Sequence, residues 1–139
     1  MQTYAYAAQV KEATPGDFVL RFRDVPEALS GGDSLEEAFA QAPDCLAVAL
    51  EGYLARSRDL PIPTAALQGE RVVALDPAIA ARAMLMRALR QQGLSKASLA
   101  ELLGRDEKAA RRVLSGRGAS LSLILQALRA VGVQPALVG

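Results

Sequence analysis

The stretch SLAELLGRDEKAARRVLSG, residues 98–116, decides how the C-terminal part of this chain folds. Leu99, Ala100 and Leu103 recur at helical spacing up to Gly104, and a second run places Ala110 and Val113 on one stripe before Gly116. A glycine just past an apolar helical run supplies the left-handed backbone that ends a helix, so the stretch predicts two short helices joined at Gly104. The same residues carry Arg105, Lys108, Arg111 and Arg112. They predict either the corner of a small four-helix bundle with solvated arginines or a device that holds one helix against DNA.

The punctuation extends in both directions. Four helices are expected at about 77–92, 95–103, 106–115 and 120–131, each preceded by a capping side chain (Asp76, Ser95, Asp106, Ser120) and followed by Gly93, Gly104, Gly116 or Gly132. Asp76 followed by Pro77 is a strong helix start, because proline is preorganised for the first helical position. A domain boundary is placed there, dividing the chain into residues 1–76 and 77–139.

Charge divides the chain at the same place. Residues 1–76 hold 6 Lys+Arg against 12 Asp+Glu, a net of −6, whereas residues 77–139 hold 10 against 3, a net of +7. An acidic module joined to a basic one points to a polyanionic partner for the basic half. The whole-chain net of +1 conceals this.

The acidic half predicts α+β structure. TYAYAAQVKEA and DFVLRFRDV are β-rich runs separated by the turn signal TPGD, which predicts a hairpin. ALSGGDS breaks the chain, after which Ser34 caps a helix with Glu36 and Glu37 in its first turn and an apolar face of Leu35, Phe39, Ala42, Leu46, Ala49 or Leu50, and Tyr53. Pro43 predicts a kink or a late start. RVVAL, near residues 71–75, predicts a further strand beside the hairpin.

Composition excludes several chemistries. With no histidine in 139 residues there is no His-based triad, histidine metal site or histidine base. A single cysteine, Cys45, is expected to be a buried inert thiol. No signal-peptide pattern and no long apolar run are present, so a soluble cytoplasmic protein without membrane contact is expected.

Two resemblances add to this reading. Leu99, Ala100, Leu103, Gly104, Ala110, Val113 and Gly116, continued by SLSLILQALRAVGV, resemble the helix-turn-helix of phage-repressor-like regulators. That resemblance implies that the helix beginning near Asp106 lies in the major groove, with Glu107, Lys108, Arg111 and Arg112 reaching bases or phosphates. Lys96, Ser98, Arg105 and Arg117 would then touch phosphates.

YAYAAQVKEA, FVLRFRDVPEALSGGDSLEEAFAQAPDCLAVALEGYL and LPIPT, spanning about residues 3–64, resemble the HicB antitoxin family. Arg23 stands where that pattern commonly has proline, and Glu27 where it has glycine. The resemblance implies a partial ribonuclease-H-like domain that binds a small basic HicA-type mRNA-cleaving toxin, and autorepression through the DNA-binding tail. Asp24, Asp33, Glu36 and Glu37 are candidates for an acidic toxin-binding patch. No catalytic residue, metal or cofactor is expected, because two-metal phosphodiester cleavage needs converging carboxylates and the stretch YAYAAQV offers none. Partners are expected to be the toxin, operator DNA, and a second copy in a dimer or higher oligomer. The alternative is a helix-turn-helix regulator whose N-terminal domain senses a small molecule.

Overall fold

The computed structural model describes residues 4–115 and 119–133. The fold is α+β, with four strands and five helices among the described residues. It divides into two compact units between Asp76 and Pro77.

The N-terminal unit is built on an antiparallel sheet of order β3-β2-β1-β4. β1 (Ala5–Thr14) and β2 (Asp17–Phe22) form the hairpin, turning at Gly16 with a φ of 79°. β3 (Leu29–Gly32) pairs with β2, and β4 (Arg71–Ala74) pairs with the other side of β1. The register places Tyr6 opposite Val73, Ala8 opposite Phe22, and Leu20 opposite Ser30. Directly opposed residues share a face, so these six side chains form one buried surface. The opposite face leaves Leu29 and Val72 about half exposed, at 51% and 56%.

α1 (Leu35–Ala55) packs on the buried face, and the Ser30 hydroxyl donates to the Ala38 carbonyl at 2.9 Å. Its start is fixed reciprocally. Ser34 Oγ accepts from the Glu37 amide at 3.1 Å, and Glu37 Oε2 accepts from the Asp33 amide at 3.0 Å.

Three expectations change here. β3 lies in LSGG, which the sequence presents only as a glycine break; a Cβ on Gly32 would stand 2.8 Å from the Glu37 Cβ, so glycine lets α1 approach the edge strand. The late helix start at Pro43 does not occur: α1 begins at Leu35 and runs on through Pro43, which lies on its exposed side. The buried stripe of α1 is Ala38, Ala42, Leu46, Leu50, Tyr53 and Leu54, leaving Leu35, Phe39, Ala49 and Cys45 half-buried.

The segment from Arg56 to Glu70 has no regular structure, yet it is tied down along its length. Tyr6 donates its hydroxyl to the Pro61 carbonyl at 2.8 Å, and burial, with smaller contributions from Tyr4, Asp24 and Tyr53, pushes the phenol pKa up.

The C-terminal unit is α2 (Pro77–Gln92), α3 (Lys96–Leu103), α4 (Glu107–Ser115) and α5 (Leu121–Ala130). Its core joins Leu85, Leu99, Ala110, Val113, Ile124, Ala127 and Leu128, all nearly inaccessible. Small alanines at Ala81, Ala110 and Ala127 let the helices approach closely. Ser95 and Ser120 cap α3 and α5 through bonds of 3.1 Å to Ser98 and Leu123, and Asp106 accepts from the Ala109 amide at 2.9 Å. No helix among the described residues is long and apolar enough to cross a membrane.

Candidate functional site

The exposed surface of α3 and α4 is organised by their turn. Gly104 adopts φ 66° and ψ 32°, its amide bonds back to the last turn of α3, and Arg105 N donates to the Ala100 carbonyl at 3.0 Å. An added side chain would strain this left-handed backbone. After three residues the chain turns into α4, whose Ala109, Ala110 and Val113 enter the core.

That seam fixes the rotation of α4. Residues on its far side are thereby committed to solvent, and Glu107, Lys108, Arg111 and Arg112 are all exposed. Three cations and one carboxylate therefore stand on nine residues of helix. Lys96 and Arg105 are exposed at the two ends of α3. Ser98 is half-buried and spends its amide and hydroxyl on Ser95, so its polar atoms already serve the start of α3. Arg117 and Gly116 lie outside the described residues.

The four acidic candidates of the N-terminal unit fall into different roles. Asp24 accepts from the Thr64 amide at 2.8 Å and from the Thr64 hydroxyl at 2.8 Å. Beside it, Arg23 donates to Glu70 at 2.8 and 3.2 Å, to the Ala65 carbonyl at 2.7 Å and to the Thr64 hydroxyl. The Arg23 guanidinium, with the Leu67 amide, holds the Glu70 carboxyl below its ordinary range. Asp24 is thus part of a clamp on the Thr64–Glu70 segment. Glu37 serves the start of α1, while Glu36 and Asp33 are exposed beside it.

The clamp carries no local sequence signal, since its partners lie 40 to 47 residues apart. A second polar feature was legible in principle. Arg82 sits between Ala78 and Leu85 at spacings of four and three, on the core face of α2, where a charged side chain is rarely buried without a partner. Among the described residues, no three of His, Cys, Asp and Glu stand together as a metal site.

With this geometry in place, comparison with known proteins is decisive for the first unit. The model of the family described as HicB_like antitoxin of bacterial toxin-antitoxin system matches residues 5–84. The chain belongs to the HicB-like antitoxin family. Its relatives include Antitoxin HicB 2 of Photorhabdus laumondii subsp. laumondii, 37% identical over 116 residues that cover 83% of this chain and 82% of that one. Antitoxin HicB of Pseudomonas fluorescens is 38% identical over 102 residues, covering 73% and 69%. Antitoxin HicB of Escherichia coli K12 is 25% identical over 134 residues, covering 96% and 97%. The HicB family match runs through all four strands and α1 and ends within α2.

Proposed function

We propose that this HicB-type antitoxin binds and neutralises a HicA-type mRNA-cleaving toxin through residues 1–76 and represses its own operon by binding DNA through residues 77–139. The observation that carries the reading is the union, in one chain, of an antitoxin-family unit of net charge −6 with a helix pair whose second member buries Ala110 and Val113 and turns Lys108, Arg111 and Arg112 outward. An acidic surface complements a small basic protein that engages RNA, and such complementarity speeds encounter. On this reading the N-terminal unit is a partial ribonuclease-H-like domain, used for binding rather than catalysis.

The α3–turn–α4 arrangement serves as a helix-turn-helix. α4 is the recognition helix, in which arginines contact guanine O6 and N7 and Glu107 accepts from cytosine N4. Lys96, Arg105 and Arg117 supply phosphate contacts, which give affinity more than sequence preference. A homodimer or larger assembly holds two such helices on half-sites about 34 Å apart.

The test is growth of cells expressing the small reading frame adjacent to this one, alone, with residues 1–76, and with the whole chain. Arrest by the neighbour and rescue by the N-terminal piece are expected. A harmless neighbour, or arrest that the whole chain never relieves, would sink the toxin assignment. Binding of the full chain to its own upstream DNA, measured against a scrambled duplex, tests the repressor half separately.

A further inference from the structure

Arg82 is only 6% exposed, the one cation among the buried residues described in the C-terminal unit. It projects from α2 between the fully buried Ala81 and the core side chain Leu85, and its Nε donates to the Leu114 carbonyl at 3.4 Å. Leu114 is in the last turn of α4, where backbone carbonyls have no partner within the helix and the dipole is negative. Burying a guanidinium in a core of alanine and leucine is costly unless its donors are used, and a leucine would fill the same place without that cost. The donors are therefore the reason for the residue.

We infer that Arg82 is a positioning residue for α4. This rests on the reading of α4 as the DNA-contacting helix. The N-terminal end of α4 is fixed by the Gly104 turn and the Asp106 cap, and its core face by Ala110 and, in the last turn, by Val113. Arg82 adds a polar tie to the backbone of that last turn. A nine-residue helix is about 13 Å long, so a pivot of ~10° about the Gly104 turn moves Ser115 by about 2 Å and Arg111 by about 1 Å. Hydrogen bonds tolerate about 0.5 Å of heavy-atom displacement, so such a pivot breaks base contacts and leaves long, flexible phosphate contacts intact. Arg82 thus touches no DNA and yet governs sequence preference.

The experiment uses the full chain with Arg82→Met, which keeps the length of the stem, and Arg82→Gln, which keeps a polar end too short to reach. Each is titrated with a duplex of the DNA upstream of the chain's own reading frame and with a scrambled duplex of the same length and composition. The expected result is a fall of about tenfold in the ratio of the two affinities, with scrambled-DNA affinity and its salt slope unchanged. A merely structural role would instead lower both affinities together, in proportion to the folded fraction. An unchanged ratio in either variant, or a proportional loss of both affinities, overturns the inference.

Should neither variant fold, the unmodified chain decides. The Arg82 Nε–H, followed by NMR, should exchange with solvent at least about a hundredfold more slowly than those of exposed Arg111 and Arg112, and it should remain slow when upstream DNA binds. Equal rates overturn the inference. If the unmodified chain does not prefer its upstream duplex at all while Arg82 exchanges slowly, the DNA-reading assignment fails instead, and the two failures are distinct.

Discussion

The two units solve the problem of fixing a chain by different means. In the N-terminal unit, beyond the start of α1, the polar contacts that tie segments together are remote: Arg23 to Glu70 spans 47 residues, Tyr6 to Pro61 spans 55, and Asp24 to Thr64 spans 40. In the C-terminal unit Ser95, Asp106 and Ser120 each bond an amide three residues on. The first unit gains its order by closing long loops, whose entropy cost must be met before any contact forms. Local caps and stops define the helices of the second, which then pack, with Arg82 and Gln92 adding remote ties to the Leu114 and Val131 carbonyls. The proposed roles, partner binding by a surface tied together from distant segments and DNA reading by a short helix on a pre-set turn, each suit the construction that would carry them.

Core truncation should expose the contrast most strongly. Leu50→Ala in α1 and Leu99→Ala in α3, both fully buried, should each cost about 2–5 kcal/mol, expressed in faster amide exchange within the unit that carries the substitution. If Leu99→Ala loosens the sheet amides as much as its own, the units are energetically one.

Next in size are Arg111→Ala and Arg112→Ala. Each should weaken binding to the upstream duplex by about 1–3 kcal/mol where it makes a bidentate base contact, with toxin neutralisation unaffected. Loss of neutralisation in either would mean that the two functions do not divide at Asp76. Removing a cap is a smaller change. Asp106→Ala and Ser95→Ala should each cost roughly 0.5–2 kcal/mol in thermal unfolding, without a change in sheet content.

The smallest effect is electrostatic and belongs to the N-terminal unit. Glu70 titrates below its ordinary value in the fold because Arg23 and the Leu67 amide bond its carboxylate, and Glu27 is lowered first by the Tyr53 hydroxyl. A depressed carboxylate contributes stability that is fully present above its unfolded value of about 4.3 and is lost as pH falls through its folded value. Acid titration should therefore loosen the N-terminal unit below about pH 4.3, and Glu70→Gln should flatten that slope. An identical slope in the variant would show that the clamp contributes nothing to acid stability.

This difference in construction also explains what the sequence made legible. Gly93, Gly104 and Gly132 together with Ser95, Asp106 and Ser120 announce the helices within one or two residues, because caps and stops act over three or four positions. The outward face of α4 follows directly once Ala110 and Val113 are recognised as its seam. β3 was hidden because Gly31 and Gly32 are glycine for the sake of neighbours in other elements, the Phe18 carbonyl and the start of α1. Asp24 looked like a free surface acid, since nothing near it in the chain announces Thr64. Cys45, expected to be buried, is half-buried because the core stripe of α1 passes through Ala42 and Leu46 beside it.

The pairing of β1 with β4 has a consequence during synthesis. β1 obtains β2 as a neighbour almost at once, but its other edge waits from Thr14 until Arg71 has been made. At ~5–20 residues per second, that interval is about 3–11 s. For those seconds the nascent chain offers an open strand edge to any extended peptide nearby. The four residues of β4 therefore close the sheet late, and a ribosome stalled before Arg71 would leave an antitoxin whose central strand is still an edge.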